Sequence, residues 1–364
     1  MRITQVSMFY RGTVGGQETY VHSLDSLFKK SGFESNAVQI YRKGPKDKNV
    51  TMLPYCSAVN RIFPDAGWFL FNAGLAFCGK KLSGSDIIIS HYPFHYPALS
   101  RHRKVVVVSH GIDWHAPPGS LADKHRMASA LRCRRDKVPL VANDTDLLRF
   151  LGCDIEPGTR MFEEIDDNVW FIPNCVDTGV FCPDPSVRKE DVILVPRNIC
   201  HARGIHLAIE AFRLFNKTHR DHRMRIVGGP TGGAYFEKCR ELADKCVPGG
   251  KISFEGKMEH RDMKKEYRKA KITLIPSIER EGTSLSALES MACGTPVVST
   301  LTGGLADLPT VKAETKPEDI CSKLADTLSN YERVKKEQYD RVKASYDIKK
   351  WHDAWLSVIN RLSS

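Results

Sequence analysis

Long apolar runs are missing from this sequence of 364 residues, since no stretch reaches the roughly 20 apolar residues that a bilayer-spanning helix needs. Its beginning, Arg2 to Val6, lacks the layout of a secretory signal peptide, which predicts a cytoplasmic protein. Low-complexity tracts and short-period repeats are also lacking. Hydrophobic residues at 41% and charged residues at 27% are then typical of a globular chain.

Cysteine and histidine residues at the spacings typical of disulfide-rich folds or metal sites are also lacking. None of the 11 cysteines forms a C-x-x-C pair, and their odd count and scatter argue against a disulfide-stabilised secreted fold. We expect most of the cysteines to be small buried apolar side chains in a reducing compartment instead. His91 and His95 lie four positions apart, but Pro93 and Pro97 exclude a regular helix that presents both, and companion ligands with zinc spacing are lacking. We therefore predict no metal site.

Acidic residues are outnumbered, because 54 Lys and Arg against 43 Asp and Glu give a net charge of +11. Such a surface attracts phosphate groups, whether of nucleic acid, nucleotides or anionic lipids. A nucleic-acid-binding protein is the alternative from another functional class, but the sequence has no zinc-finger spacing, RNP motif or basic stripe interleaved with aromatic residues. The charge therefore indicates the sign of the partner and not its identity.

Two series of alternating strands and helices follow one another, and each predicts a mostly parallel sheet. The predicted strands of the first series are 3–9, 86–90, 104–109 and 138–142, and those of the second are 192–195, 223–227, 252–254, 272–276 and 296–299. We place the domains at 1–170 and 171–347. A last helix, 348–364, carries Trp351 and Trp355 on one face. This face must pack against one of the two domains.

Two glutamates lie in the most informative segment, Pro276 to Val298. Glu281 lies in a loop directly after a predicted strand, and Glu289 lies eight positions later in the next predicted helix. Ligands of open α/β sheets bind at the carboxyl ends of such strands, and the loop and helix N-terminus offer N–H groups to a pyrophosphate. The carboxylate of Glu289 suits the two hydroxyls of a ribose. A solvated surface loop is the alternative interpretation.

This segment resembles the E-x7-E signature of the GT-B retaining glycosyltransferases of family 4, also called glycosyl transferases group 1. Further family motifs match in the expected order: Gly15-Gly16 with Glu18 in the glycine loop 11–18, His110-Gly111, Ile172-Pro173-Asn174 with Val176-Asp177, Arg197 with Arg203-Gly204, and Gly303-Gly304 with Asp307. The resemblance covers nearly the whole chain. It implies an α/β GT-B fold, in which two Rossmann-like domains face each other across a cleft and the helix 348–364 crosses back to the first domain.

The resemblance also implies a reaction and assigns residues to it. Residues 171–347 would bind a UDP- or GDP-sugar, and residues 1–170 would receive a glycan, lipid-linked or small-molecule acceptor, with retention of configuration and without metal or other cofactor. The implied catalytic residues are Glu281, His110, Arg197 and Arg203. The implied donor-binding residues are Gly15, Gly16, Arg197, Arg203, Gly282, Thr283, Ser284, Leu285 and Glu289. A sugar-nucleotide epimerase or phosphorylase of the same fold is the alternative.

Three positions depart from the family pattern. Arg203 stands where lysine is usual, which keeps the charge but presents a planar fork. Cys175 replaces the usual glycine after Asn174, and Asp307 is shorter than the usual glutamate. These changes leave the implied chemistry in place and alter its local geometry.

Other segments have two interpretations each. Asp144-Thr145-Asp146 has the D-x-D form by which metal-dependent GT-A glycosyltransferases hold a cation, but its place at a predicted helix start favours N-capping. The basic stretch 124–137 is either a solvated face or a peripheral contact with anionic lipid at the inner face of a membrane. The apolar segment 68–77 is interpreted as a buried helix rather than a membrane-touching patch.

Overall fold

Two sheets organise the molecule, and each contains short strands that are buried along their whole length. The computed structural model describes residues 1–10, 15–41, 47–54, 65–111, 119–247, 249–279 and 281–363. They divide into two units, the first made of Met1–Ile155, Arg160–Ile172 and His352–Ser364, and the second of Glu156–Thr159 and Pro173–Trp351. The last helix therefore changes unit between Trp351 and His352.

The first sheet contains β1 (Arg2–Val6), β2 (Glu34–Ile40), β3 (Val50–Leu53), β4 (Ile87–Ser90), β5 (Val105–Ser109), β6 (Leu140–Ala142), β7 (Glu163–Asp166) and β8 (Val169–Phe171). Its strand order is β3-β2-β1-β4-β5-β6-β8-β7, and β7 is antiparallel to β8 while the other pairs are parallel. Strands such as β5 are buried throughout, as expected where helices cover both faces of a parallel sheet.

The second sheet contains β9 (Val192–Val195), β10 (Arg223–Val227), β11 (Ile252–Gly256), β12 (Ile272–Ile275), β13 (Val297–Thr300) and β14 (Val311–Ala313). All its pairs are parallel, in the order β11-β10-β9-β12-β13-β14. The strand order reverses between β9 and β12 here and between β1 and β4 in the first sheet. Such reversals are the switch points at which open α/β sheets bind ligands.

Thirteen α-helices are described. They are α1 (Gly16–Lys30), α2 (Ala66–Phe77), α3 (Gly79–Leu82), α4 (Tyr96–Leu99), α5 (Leu121–Arg135), α6 (Thr145–Phe150), α7 (Ile205–Phe215), α8 (Gly233–Cys246), α9 (Met263–Lys269), α10 (Leu285–Ala292), α11 (Pro317–Ser329), α12 (Tyr331–Ser345) and α13 (Ile348–Ser363). Among the residues described, no helix has both the length and the apolar character that crossing a membrane requires.

The two tail tryptophans of α13 are fully buried, but they belong to different units. Trp351 belongs to the second unit, whereas Trp355 belongs to the first. The indole Nε1–H of Trp355 donates a hydrogen bond of 2.9 Å to the hydroxyl of Tyr20 on α1. The last helical turns are therefore part of the core of the first unit.

Asp144 is the N-cap of α6, as the sequence predicts. Its Oδ1 accepts a hydrogen bond of 3.0 Å from the backbone N–H of Leu147, which confirms the capping interpretation. Asp146 lies in the first turn and pairs with Arg149 at the surface.

The cap predicts an asymmetric effect of two alanine substitutions. Asp144→Ala should lower the free energy of unfolding by about 1 kcal/mol, because a helix N–H loses its acceptor. Asp146→Ala should cost less, since exposed ion pairs contribute little. Urea unfolding of both variants measures the difference, and a larger loss in Asp146→Ala would contradict the capping role.

Candidate active site

Charged side chains converge at the switch point of the second sheet. Arg197 follows β9 by two residues, and Ser277 follows β12 by two residues. Arg203 ends the 3-10 turn His201–Arg203 that leads into α7. Glu281 lies in the loop between β12 and α10. All four residues follow the carboxyl ends of the neighbouring strands β9 and β12, which brings them together.

The carboxylate of Glu281 joins two arginines and a serine. Arg197 forms a short ion pair with Oε1, and Arg203 Nη1 lies 3.2 Å from Oε2. Arg197 Nη2 donates to Ser277 Oγ at 2.9 Å, and that hydroxyl donates to Glu281 Oε2 at 2.6 Å. Arg197 and Glu281 are 9% and 8% exposed, so this is a buried cluster of one negative and two positive charges.

The two arginines keep Glu281 ionised. Burial raises the pKa of the carboxyl group, but the charges of Arg197 and Arg203 and the hydrogen bond from Ser277 outweigh it and lower the pKa to about 2. Glu281 is therefore a hydrogen-bond acceptor and not a proton donor at neutral pH. The buried Nε–H of Arg197 has no acceptor among the described residues, which leaves a donor for an anionic ligand.

Glycines allow the backbone of the Glu281 loop to pack closely. Gly303 has a φ of +55°, and a Cβ there would overlap the backbone oxygen of Glu281. A Cβ at Gly304 would lie 2.5 Å from the carbonyl carbon of Gly282 and from the nitrogen of Thr283. Side chains at 303 and 304 would therefore displace the loop, which explains the paired glycines.

Asn174 holds the same loop from the other side. Its backbone N–H donates to Thr283 Oγ1 at 2.7 Å, and its side-chain amide donates to the backbone oxygen of Thr283. Ser284 is the N-cap of α10, but its buried Oγ makes no capping bond and has no partner among the described residues. Because the first N–H groups of a helix lack helical acceptors, the segment from Ser284 to Leu285 is suited to bind an anion.

Glu289 is hydrogen-bonded to two side chains that the sequence did not suggest. Its Oε1 lies 2.6 Å from Nε2 of His260, and its Oε2 accepts a hydrogen bond of 3.0 Å from the hydroxyl of Tyr267. The carboxylate is 5% exposed and the imidazole is 41% exposed. A ligand hydroxyl at Glu289 would therefore also lie close to His260.

The His260–Glu289 pair predicts a pH-dependent contribution to stability. The hydrogen bond to Glu289 raises the pKa of His260 against the opposite effect of burial. Because the pKa of His260 is higher in the folded state, its protonation stabilises the fold. This stabilisation is complete below the pKa of the unfolded state, about 6.5, and is lost as the pH rises through the pKa of the folded state. His260→Gln keeps an N–H donor but does not titrate. Its difference from wild type in free energy of unfolding should shrink as the pH rises, and a constant difference in urea unfolding would contradict this.

The remaining predicted site residues belong to the first unit. Gly15 and Gly16 lie at the N-terminus of α1, while residues 11–14 of their loop lie outside the described residues. His110 directly follows β5, and its Nε2 lies 3.0 Å from Nδ1 of His91. His95 instead contacts Asn72, with Nδ1 2.6 Å from Oδ1. In the described part of the chain, no group of three or more His, Cys, Asp or Glu side chains is arranged to hold a metal ion.

The basic stretch 124–137 has more acidic neighbours than its sequence suggests. The ion pairs are Arg126–Asp123, Arg132–Asp136, Arg134–Asp166, Arg135–Asp136 and Lys137–Asp167. These pairs reduce the net positive charge available to an anionic surface. In the apolar segment 68–77, Trp68, Phe71 and Leu75 are buried, whereas Leu70 is 42% and Phe77 91% exposed.

Sequence reasoning missed several groups that contact the predicted residues. Ser277 lies inside the E-x7-E segment but has no role in the motif, and His260 precedes Glu289 by 29 residues. His91 was considered only as a metal ligand. Position was a signal for Ser277 and His91, since each directly follows a predicted strand, whereas the strand pattern gave no signal for His260.

Comparison with protein families gives a match in the second unit. Residues 183–338 match the model of the family Glycosyl transferases group 1. A D-inositol 3-phosphate glycosyltransferase of Acidothermus cellulolyticus is 33% identical over 154 residues, which are 38% of this chain and 34% of that protein. A phosphatidylinositol N-acetylglucosaminyltransferase subunit from Arabidopsis thaliana is 23% identical over 377 residues, 97% of this chain and 79% of that protein. The chain spans less than half the length of the first curated relatives that it matches.

Solved structures resemble the whole chain. Sucrose-phosphate synthase from Thermosynechococcus elongatus has a TM-score of 0.80 at 17% identity, over 99% of this chain and 98% of that one. Anabaena HepE, solved with UDP and glucose, has a TM-score of 0.74 at 14% identity, over 99% and 100% of the two chains. These likenesses confirm the predicted fold class, with two parallel-sheet Rossmann-like domains of the GT-B type. Residues 183–338 are thus similar in sequence to the family Glycosyl transferases group 1.

Proposed function

We propose that this protein is a retaining glycosyltransferase that transfers a sugar from a UDP- or GDP-sugar to an acceptor hydroxyl without a metal ion. The cluster of Arg197, Arg203 and Glu281 carries this proposal. Breaking the bond between sugar and diphosphate builds negative charge on the leaving group, and preplaced cations stabilise it. Both arginines are oriented by Glu281 before a donor binds.

The anionic carboxylate of Glu281 accepts hydrogen bonds from donor-sugar hydroxyls, and Ser284 with the N-terminus of α10 binds the diphosphate. Glu289 accepts from the ribose. Two relatives named above act, by their names, on inositol phosphate or phosphatidylinositol. Inositol phosphates and phosphatidylinositol are therefore the first acceptors to test, ahead of other glycan, lipid-linked or small-molecule acceptors.

A thermal-shift series with UDP, GDP, ADP, dTDP and their common sugar conjugates, without added metal, tests the donor site. Nucleotides of one base should raise the unfolding temperature, because a ligand that binds only the folded state stabilises it. Arg197→Met should lose this response, whereas Arg225→Met, which removes an arginine paired with Glu255 and Glu266 on the same sheet, should keep it. Absence of any response in wild type would contradict the proposed function.

Transfer to inositol acceptors then tests the reaction itself. We expect product with the donor's anomeric configuration, read from the NMR coupling of the anomeric proton, and unchanged turnover in EDTA. Complete loss of turnover in EDTA would contradict metal independence, and an inverted product would contradict retention.

A further inference from the structure

One chain of hydrogen bonds links three side chains at the switch point of the first sheet. Gln5 lies on β1, His91 directly follows β4, and His110 directly follows β5. Gln5 Oε1 lies 3.0 Å from His91 Nε2, and His91 Nδ1 lies 3.0 Å from His110 Nε2. Gln5 and His91 are fully buried, so water does not replace either partner.

The chemistry of these groups gives the chain a direction. The amide oxygen of Gln5 only accepts, so His91 donates from Nε2. A neutral imidazole has one ring proton, so Nδ1 of His91 is an acceptor and receives the Nε2–H of His110. Burial lowers the pKa of both rings, which keeps them neutral. His110 is then left with a lone pair on Nδ1.

Packing fixes the ring of His110 in this orientation. The ring of His91 lies beside it in nearly the same plane, with centroids 5.3 Å apart and an interplanar angle of 13°, as the hydrogen bond between their nitrogens requires. Tyr20 meets it edge-on at 4.7 Å and 83°. Tyr20 is itself held by the hydrogen bond from Trp355 on the last helix. Rotation of the imidazole would break these contacts together with the bond to His91.

We propose that Gln5 and His91 are positioning residues that hold His110 in its Nε2–H tautomer, so that Nδ1 accepts a hydrogen bond from a hydroxyl of a ligand bound at the switch point of the first sheet. The second half of this proposal rests on the proposed function, because that function supplies a ligand with hydroxyl groups. The first half is a property of the protein alone. Setting the tautomer of a ligand-binding histidine through its other nitrogen is a general use of such partners.

NMR of the full-length protein labelled with 15N-histidine tests the tautomer without any ligand. His110→Asn and His91→Asn identify the two sets of ring signals by their loss. Wild type should show protonated Nε2 and unprotonated Nδ1 at His110. Gln5→Leu should give a mixture of tautomers, whereas Asn72→Leu, which removes the amide partner of His95, should leave His110 unchanged. Protonated Nδ1 in wild-type His110 would mean that the Gln5 amide donates, and would overturn the proposal.

Kinetics test the consequence for the ligand of His110. Gln5→Leu should lower the kcat/KM of sugar transfer roughly 10-fold, the equivalent of one hydrogen bond, with Asn72→Leu as the control. His110→Asn places an oxygen acceptor near the position of Nδ1 and should retain more activity than His110→Leu. Equal activity of these two His110 variants would overturn the role of Nδ1. A wild-type protein with the expected tautomer but no transfer activity would overturn the proposed function and leave the tautomer assignment intact.

Discussion

Glu281→Ala should reduce sugar transfer by on the order of 10³-fold, the effect typical of removing one preorganised polar group from an active site. The carboxylate orients both arginines, so its loss frees Arg197 and Arg203 from their shared acceptor. It also removes the acceptor that we assign to the sugar hydroxyls. Steady-state kinetics with the donor identified by thermal shift measures the effect.

The same substitution should lower the free energy of unfolding, because breaking a buried ion pair leaves charges without a partner. The cost is roughly 3–5 kcal/mol for such pairs. Transfer is therefore compared only under conditions in which circular dichroism shows the variant folded. Glu281→Gln separates charge from shape, since it keeps the volume of the side chain and loses its charge.

Glu279→Ala is the matched control for Glu281→Ala. Glu279 lies in the same loop, but its carboxylate is 50% exposed and lies 3.8 Å from His201. Exposed pairs of this kind contribute little, so the control should keep both activity and stability. If folded Glu281→Ala turned over substrate at the wild-type rate, Glu281 would not be part of the active site.

Gly304→Ala should impair donor binding and turnover together. The added Cβ would lie 2.5 Å from backbone atoms of Gly282 and Thr283, a distance shorter than those found for real Cβ contacts. The loop must shift, and with it Glu281 and the N-terminus of α10. Overpacking of this kind costs roughly 1–3 kcal/mol of stability. A rise in the KM for the donor with a fall in kcat should follow, because small displacements of binding groups reduce rates strongly.

Gly232→Ala is the control, because a Cβ there meets nothing within 4 Å and the backbone φ of −162° is open to any residue. It should match wild type in the same assays. If Gly304→Ala had the same kinetics as Gly232→Ala, the 303–304 turn would not be what holds the loop that contains Glu281.

The sequence predicted those features that depend on short-range pattern. Runs such as Val105–Ser109 and Val192–Val195 indicate buried parallel strands, and both are strands in the structure. The prediction that Glu281 follows a strand and that Glu289 lies in the next helix is confirmed. The N-cap at Asp144 is confirmed for the same reason, because a cap is set by residues within one helical turn.

The sequence by itself thus determined the two α/β units and placed polar residues at the ends of their strands. Only the tertiary structure decided which side chains meet, because those partners are far apart along the chain. Asn174 and Thr283 are separated by 109 residues, and Trp355 and Tyr20 by 335. Periodicity contains no information about such pairs. The sheet topology brings β9 beside β12 and β1 beside β4, and this pairing places Arg197 on Glu281 and His91 between Gln5 and His110.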